Sequence, residues 1–326
     1  MKRIMMDRPG APAEVVRIEE IAEPGAPGPH DALMELVASP VHPADLLTIM
    51  GMYAGDPGPM PKVLGKEGLG KVLQVGELVK HLKPGDLAPV LLAQDGVWQE
   101  RQNVPAENLV ALPPGGDPLQ YAMSFANPLT ALLLLRGVEM GGWVIQNAAN
   151  SSVGQYLIQL AKKQGIRTIN VVRRDGLADE LHNLGADVVL VDNADLPRRV
   201  LAATGGAPVK LAIDAVAGES AARLSACLSP SGVLCNYGMM SGRNVQVSPA
   251  ALIGNDITVR GFWLPVALGK LAAAERASVF GEIIPLVASG MLKAKVEATY
   301  PLTRIQDALA HAAKGERKGK VLLTLR

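Results

Sequence analysis

The chain has 326 residues and a formal net charge of +1, so it is long enough for two hydrophobic cores and has no charge excess to attract nucleic acid or an acidic membrane. Aromatic residues make up only 3% of it, which leaves few rings on which single-stranded bases could stack. No apolar run reaches the length of a membrane-spanning helix, and the N-terminus lacks the apolar stretch of a signal peptide. We therefore expect a two-domain cytoplasmic protein with neither a nucleic-acid nor a membrane partner.

Cysteine and histidine are too sparse for a disulfide framework or a zinc site. The cysteines are Cys227 and Cys235, and the histidines stand singly at positions 30, 42, 81, 182 and 311. A structural zinc site needs about four such ligands at short paired spacings. The sequence therefore predicts a reducing compartment and no metal.

The first part of the chain, up to about residue 120, is rich in glycine and proline and contains short alternating apolar runs. Examples are DALMELVASPV, LGKVLQVGELV and GDLAPVLLA, each bounded by turn residues. Short strands separated by turns at regular spacing predict a compact, mainly antiparallel β domain.

Strands and helices alternate after this region. The pattern predicts strands at 143–146, 168–172, 188–191, 210–214 and 232–237, and helices at 153–164, 178–184, 196–203 and 220–228. Such alternation implies right-handed crossovers and a parallel sheet covered on both faces, which is a doubly wound nucleotide-binding domain. A further strand at 256–264, a long helix at 268–288 and a last strand at 320–325 are predicted, and the tail is expected to return to the first domain.

The turn after the first strand of the α/β domain has the sequence QNAANSSVG at 146–154. A tight turn that opens a helix offers free N–H groups and the helix dipole to a pyrophosphate. Ser151 and Ser152 stand where a glycine fingerprint would have two glycines. Two interpretations are open: a phosphate site to which the serine hydroxyls also donate, or an ordinary polar helix cap.

The second strand of this domain ends in Arg173 and Arg174, followed by Asp175. An acidic residue is usual at this place when it accepts from the ribose hydroxyls, whereas arginine accommodates the 2′-phosphate of NADPH. The pair therefore predicts NADPH. A solvated basic turn, with Asp175 partly neutralising the arginines, is the alternative.

Several segments together resemble one known family. They are VHPADLLTIMGMYAG, LKPGDLAPV, NPLTA, VIQNAANSSVGQ, INVVR, LCNYGMM, ITVRGFWL and GKVLLTL. By these segments, which span nearly the whole chain, it resembles the trans-2-enoyl thioester reductases of fatty acid synthesis. These enzymes are a zinc-independent branch of the medium-chain dehydrogenase/reductases, related to quinone oxidoreductases. The resemblance implies an α/β fold with a Rossmann NADPH-binding domain at 123–265, a GroES-like, mainly β catalytic domain at 1–122 and 266–326, and a homodimer.

The resemblance also implies roles for individual residues. Tyr53 matches the tyrosine that such reductases place beside the substrate carbonyl, where a phenol can stabilise an enolate oxygen. The residues that match cofactor-binding segments are Asn147, Ser151, Ser152, Val153, Gly154, Tyr237, Gly238, Met239, Met240, Phe262, Trp263, Leu264 and Lys320. The strand that ends at 262–264 would pair across the homodimer.

Other polar residues have plainer interpretations. Lys66 stands where zinc alcohol dehydrogenases have a histidine ligand, which argues against zinc-assisted alcohol oxidation. Otherwise Lys66 and Glu67 would be a surface charge pair worth little. By analogy His42 and Asp45 lie near the same cleft, and a structural role is expected for the histidine. Asp214, at the end of a strand, is expected to cap a helix or accept a loop hydrogen bond.

Three functions remain open at this point. The first is NADPH-dependent reduction of the C2=C3 double bond of trans-2-enoyl thioesters, the second an NADPH:quinone oxidoreductase, and the third a non-catalytic NADPH-binding module. The connection after Arg174 and the loop at 52–60 depart from the family pattern, which leaves the acyl-chain preference and the substrate open. The basic segment at 314–320 either steers an acyl carrier or a coenzyme A phosphate, or is solvated surface.

Overall fold

The computed structural model of the protein describes residues 1–53, 58–91, 96–315 and 317–325, without the side chain of Leu91. Its internal contacts divide the chain into two units. The first unit comprises Met1–Ala126 and Glu282–Arg326, and the second comprises Asn127–Gly281. Residues 266–281, which the sequence-based division assigned to the catalytic domain, group here with the nucleotide-binding domain.

The strands and helices are numbered in chain order. The strands are β1 (Lys2–Met6), β2 (Val16–Glu20), β3 (Asp31–Pro40), β4 (Lys62–Val63), β5 (Glu67–Val75), β6 (Leu87–Leu91), β7 (Arg101–Pro105), β8 (Trp143–Gln146), β9 (Arg167–Val172), β10 (Val188–Val191), β11 (Val209–Asp214), β12 (Val233–Asn236), β13 (Thr258–Gly261), β14 (Val296–Pro301) and β15 (Lys320–Thr324). The α-helices are α1 (Pro12–Val15), α2 (Pro43–Ile49), α3 (Pro118–Tyr121), α4 (Ala126–Leu135), α5 (Ser152–Gln164), α6 (Ala178–Leu184), α7 (Leu196–Thr204), α8 (Gly218–Ser225), α9 (Leu264–Gly269), α10 (Ala273–Ala288) and α11 (Ile305–Ala313).

The first unit is built on mainly antiparallel sheets, as predicted. Its larger sheet has the order β14-β15-β3-β5-β6, with β7 also paired to β3, and a smaller sheet has the order β2-β1-β4. Side chains alternate between half-buried and buried along most of β3, as a strand with one face on the core requires. Because β15 pairs antiparallel with β3, the C-terminal tail returns to this unit, which confirms the sequence-based expectation.

The second unit contains a parallel sheet, which in the part of the chain described here has the order β10-β9-β8-β11-β12-β13. Numbered from the first strand of the unit, this is the order 3-2-1-4-5-6 of doubly wound dinucleotide-binding folds, and it confirms the predicted fold class. The chain changes direction across the sheet between β8 and β11. In such folds ligands bind beyond the carboxyl ends of the strands at this change of direction, so Gln146 and Asp214 mark the expected site.

Local sequence explains how α5 begins and ends. The Ser151 side chain accepts the N–H of Gly154 at 3.2 Å and caps the first turn. The helix buries an apolar face that includes Tyr156, Leu157 and Leu160. It ends at Gly165, whose φ of +69° places it in the left-handed conformation that commonly ends helices.

The segment from 256 to 288 differs from its prediction. The strand ends at Gly261, and the predicted long helix is split into α9 and α10. Pro265 occupies the first turn of α9, where a missing N–H costs nothing, so the helix begins earlier than predicted. A new helix then starts because the Glu275 carboxylate accepts the N–H of Ala272 at 3.1 Å.

Candidate active site

Asp214 organises the carboxyl edge of the parallel sheet. Its side chain is fully buried, and its carboxylate accepts hydrogen bonds from side chains and loop N–H groups together. The donors are Asn147 Nδ2 at 2.6 Å, Asn236 Nδ2 at 2.7 Å and the N–H groups of Val216 and Ala217 at 3.0 Å each. The predicted loop hydrogen bond is confirmed, and the carboxylate ties the ends of β8, β11 and β12 to one point.

The loop after β11 depends on this carboxylate. Ala217 has φ +64° and ψ −163°, a conformation that a residue with a Cβ rarely adopts. Its N–H is directed at the Asp214 carboxylate, and α8 begins at the next residue, Gly218. Asp214 therefore stabilises a strained backbone turn beside the expected cofactor crevice.

Asn147 lies in the same network. Its Nδ2 donates to Asp214 and, at 2.9 Å, to the Ser220 hydroxyl, and its Oδ1 accepts the N–H of Ala215 at 2.7 Å. The side chain is 2% exposed. The structure thus gives Asn147 a positioning role within the sheet edge, and a direct contact between its side chain and a cofactor stays a prediction.

The turn from β8 into α5 shows how two serines replace the expected glycines. Ser151 has φ −71°, and Ser152 begins the helix, so neither needs the conformational freedom of glycine. Gly154 does have to be glycine, because a Cβ there would lie 2.5 Å from the carbonyl oxygen of Ala149. The tight approach brings the first turn of α5 down onto the end of β8. The cap interpretation is confirmed, and the helix N-terminus with its small residues, Val153 included, also fits a pyrophosphate.

Arg173 and Arg174 follow β9 directly, at the same edge of the sheet. Arg173 is exposed and Arg174 is half-buried. In the parallel sheet β9 lies next to β8. The N–H of Ala149, in the turn after β8, donates to the carbonyl of Val171 on β9 at 3.2 Å. The pair therefore lies just beyond the strand next to the α5 turn, as the ribose of a dinucleotide bound there requires.

The loop after β12 reaches the same turn. Tyr237 is hydrogen-bonded to the Ser151 side chain, and burial raises the pKa of its phenol above its usual range. Gly238 packs so closely on the residue after β11 that a Cβ would lie 2.6 Å from the Ala215 carbonyl oxygen. Met239 and Met240 are exposed. Tyr237 is thus a neutral hydroxyl held beside the first turn of α5.

Phe262, Trp263 and Leu264 lie in the segment where the prediction was wrong in detail. Phe262 and Trp263 form the link after β13, and Leu264 is the first residue of α9. The N–H of Phe262 donates to the Asn236 carbonyl at 2.8 Å, so the first residue of this link lies beside the end of β12. Trp263 keeps 41% of its surface exposed.

In the first unit, a buried chain of polar side chains joins three distant parts of the sequence. His42 Nε2 lies 2.6 Å from Glu67 Oε1, and Lys320 Nζ lies 2.9 Å from His42 Nδ1. An ammonium can only donate, so Nδ1 accepts and the Nε2–H donates to Glu67. All three side chains are at most 6% exposed. The second Glu67 oxygen accepts the N–H of Ala126 at 2.7 Å.

Asp45 and Lys66 extend this chain into a cluster of compensating charges. The Asp45 carboxylate accepts the N–H of His42 at 2.8 Å and is 2% exposed. Burial raises the pKa of Asp45, while the charge and the backbone N–H of His42, followed by the positive charges of Lys66 and Lys320, oppose that rise. Two carboxyl groups and two lysine side chains thus lie around the imidazole of His42. The surface-pair interpretation of Lys66 and Glu67 is wrong, because Glu67 is buried and Lys66 is half-buried.

Tyr53 contacts this cluster through Lys66. The Lys66 ammonium lies 4.3 Å from the centroid of the Tyr53 ring, within the range of a cation–π contact. Tyr53 follows α2, and its N–H donates to the Leu47 carbonyl at 3.1 Å. The departure noted for the loop at 52–60 falls partly on residues 54–57, which lie outside the described residues.

Lys320 occupies a different environment from the one expected of a cofactor-binding lysine. Burial lowers its pKa to about 8, and the negative charge of Glu67 limits the fall. Its ammonium is engaged with His42, so a direct contact with a cofactor stays a prediction. Of the other basic residues in the 314–320 segment, Lys314 and Lys318 are exposed and Arg317 is half-buried, while Glu316 lies outside the described residues.

Sequence spacing gave no indication of the His42–Glu67–Lys320 chain. The three residues are separated by 25 and 253 positions, and only the pairing of β15 with β3 brings the tail to the end of the β3 strand.

Within the described ranges, no group of three or more histidine, cysteine or acidic side chains is arranged to hold a metal ion. Nor does any described helix have the length and apolarity needed to cross a membrane.

Comparison with known proteins assigns the family. Residues 28–114 match the family model for the alcohol dehydrogenase GroES-like domain, and residues 152–277 match that for zinc-binding dehydrogenase. The mitochondrial enoyl-[acyl-carrier-protein] reductase of Rattus norvegicus is 34% identical over 97% of this chain and 86% of its own. The chain belongs to the medium-chain dehydrogenase/reductase family.

Solved structures of this family cover nearly the whole chain. The Escherichia coli quinone oxidoreductase complexed with NADPH has a TM-score of 0.87 at 28% identity, with 99% of this chain and 100% of that chain covered. The Etr1p enzyme of Candida tropicalis in complex with NADP and crotonyl-CoA has a TM-score of 0.86 at 27% identity, with 99% of each chain covered. The protein is therefore similar both to enoyl thioester reductases and to quinone oxidoreductases.

Proposed function

We propose that this oxidoreductase uses NADPH to reduce the C2=C3 double bond of trans-2-enoyl thioesters. The observation that carries the proposal is Tyr53, a phenol held against the Lys66 ammonium in a chain related over nearly its full length to enoyl reductases. A hydroxyl donor fixed in this way suits a reaction in which negative charge develops on a carbonyl oxygen.

The second unit has the features that NADPH needs. The capped N-terminus of α5, the close approach at Gly154 and the adjacent Tyr237 hydroxyl offer N–H and O–H donors to the pyrophosphate. Arg173 and Arg174 provide positive charge for a 2′-phosphate. Relatives that bind NADP or NADPH support the same cofactor.

When bound, NADPH supplies the hydride that reaches the β carbon of the substrate. The electrons of the double bond then reside on the thioester oxygen as an enolate, until a proton reaches the α carbon and gives the saturated thioester. In this proposal the Tyr53 hydroxyl donates a hydrogen bond to that oxygen.

Quinone reduction is the second candidate, because the Escherichia coli neighbour is a quinone oxidoreductase of the same fold. A quinone has two carbonyl oxygens that take up negative charge and protons on reduction, and it forms no thioester enolate that a phenol must stabilise at a fixed position. The non-catalytic module is the third candidate, and measurable NADPH binding without turnover on any of these substrates would support it.

The test is NADPH oxidation at 340 nm with purified protein, using crotonyl-CoA, longer trans-2-enoyl thioesters and simple quinones in parallel. We expect turnover on the thioesters, and a loss of about 10²-fold or more in kcat in Tyr53→Phe, since one oxyanion donor is worth about that much. The KM for NADPH should stay near that of the wild type. Tyr300→Phe is the matched control. Turnover confined to quinones and indifferent to Tyr53→Phe would contradict the proposal.

We also propose a homodimer formed through β13. In the described part of the chain β13 pairs only with β12, and its four residues are exposed. Val259, Trp263 and Val266 expose apolar surface close to this edge in sequence. Light scattering should give about twice the chain mass of 34.2 kDa.

An acyl-carrier partner and a cytoplasmic location stay predictions, and the rat relative is named as mitochondrial.

A further inference from the structure

Lys66 places a positive charge against Tyr53, the residue on which the proposed reaction depends. It stands between Gly65 and β5, and its backbone position is fixed because Gly65, at φ +95°, packs against the Trp98 ring. A Cβ on Gly65 would lie 2.4 Å from that ring. The segment therefore presents the Lys66 side chain from a rigid turn, and Glu67, the next residue, is anchored in the buried chain to His42.

The Lys66 ammonium lies beside the substrate-binding candidate Tyr53. It meets the face of the Tyr53 ring at 4.3 Å, and the buried Asp45 carboxylate supplies the negative charge that favours its protonated form. A half-buried ammonium on an aromatic face is an arrangement that desolvation disfavours, and burial lowers the pKa of Lys66 accordingly. Asp45 itself accepts the N–H of His42, so the carboxylate whose charge acts on Lys66 is fixed at the start of α2.

We propose that Lys66 is a positioning residue for Tyr53: its ammonium fixes the ring and stabilises the negative charge that the phenol oxygen acquires as its hydrogen moves toward the enolate oxygen. This inference rests on the proposed enoyl thioester reduction. The physical reason is that a cation on the ring face attracts the electron density of the ring, and this attraction grows as the phenol becomes more negative. No atom is lost or gained at Lys66, which keeps its proton throughout.

Kinetics separate this role from a merely structural one. Lys66→Met keeps the length of the side chain and removes its charge, and we expect kcat on crotonyl-CoA to fall about tenfold while the KM for NADPH changes less than about twofold. Lys66→Arg, which retains a cation able to stack on the ring, should recover kcat to within about threefold of the wild type. In a Tyr53→Phe background, Lys66→Met should have an effect below about twofold, because its partner hydroxyl is absent. Lys71→Met, an exposed lysine on β5, is the control and should behave as the wild type.

A spectroscopic measurement tests the contact without any turnover. After reductive methylation with ¹³C-formaldehyde, the dimethyl-lysine signal of Lys66, assigned by its absence in Lys66→Met, should be shifted upfield by the Tyr53 ring. That shift should be lost in Tyr53→Leu. If Lys66→Met fails to fold, Lys66→Met/Asp45→Asn removes both charges together and should show the same tenfold loss.

The outcomes distinguish the two proposals. Wild-type turnover on crotonyl-CoA together with an unaffected kcat in Lys66→Met overturns the role of Lys66 and leaves the proposed function standing. An unshifted Lys66 signal also overturns it. Absence of enoyl thioester turnover in the wild-type protein contradicts the proposed function, and the role of Lys66 falls with it.

Discussion

The two units of the protein each bury carboxylates, and they neutralise them in different ways. In the second unit, Asp214 is surrounded by amide and backbone N–H donors that carry no net charge and do not titrate. In the first unit, Asp45 and Glu67 are balanced by Lys66 and Lys320, with His42 between them. The nucleotide-binding edge thus neutralises its carboxylate with donors that do not titrate, whereas the Tyr53 region balances its carboxylates with the ammonium groups of two lysines, whose pKa values burial lowers.

The largest effect should come from breaking the Asp214 network. Asp214→Asn keeps the shape but replaces one acceptor oxygen by an NH₂ group that faces other donors. We expect the free energy of unfolding to fall by about 3 kcal/mol, because hydrogen bonds to a buried charged group are worth about 1.5–3 kcal/mol each. Urea denaturation of the wild type and the variant at pH 7 measures this difference in the free energy of unfolding.

The control for that variant is Asp179→Asn in the exposed first turn of α6. It loses only a helix-dipole interaction, so its free energy of unfolding should change by less than about 1 kcal/mol. If the free energy of unfolding fell equally in the two variants, the Asp214 network would contribute no more to stability than an exposed carboxylate does.

The next effect is a pH dependence that belongs to the first unit alone. Burial lowers the pKa of Lys320 from 10.5 to about 8, so between these values the unfolded chain holds a proton that the folded protein has released. Stability from this group therefore rises with pH across that window, by about 2 kcal/mol between pH 8 and pH 10. The charges that face Lys320 are Glu67, Asp45 and Arg317, and His42 is its hydrogen-bond partner.

Urea denaturation at several pH values isolates this contribution as the difference between the wild type and Lys320→Met. The difference is needed because Cys227, whose pKa burial raises to about 12, acts in the opposite direction above pH 9. Lys318→Met, an exposed neighbour, should follow the wild type. If the free energies of unfolding of the wild type and Lys320→Met changed equally with pH, the pKa of Lys320 would not be lowered in the folded protein. The difference in charge balance between the two units would then be contradicted.

The smallest effect concerns the cofactor and leaves stability aside. Replacing Arg173 and Arg174 with alanine should raise the KM for NADPH about tenfold, or about 1.4 kcal/mol, and change the KM for NADH little. Arg198→Ala, an exposed arginine on α7, serves as the control. Equal losses with both cofactors would reject the 2′-phosphate assignment.

The accuracy of the sequence-based predictions follows from the range over which each signal acts. Strands such as β8 and β10 and the helix α6 were predicted to the residue, because their periodicity and flanking turns are local. The break between α9 and α10 was missed because a cap by Glu275 outweighs a continuous helical pattern. The environment of Lys320 was missed because its partners come from β5 and from the start of α2. Contacts between residues so far apart in the chain produce no regular spacing in the sequence.

Reduction of crotonyl-CoA by unlabelled NADPH in D₂O, followed by mass spectrometry and NMR of the product, tests the proposed reaction directly. Hydride delivery to the β carbon and solvent-derived protonation at the α carbon predict butyryl-CoA with one deuterium, at the α carbon. Deuterium at the β carbon would contradict the proposed direction of addition. NADPH oxidation without any saturated thioester would contradict the proposed function itself.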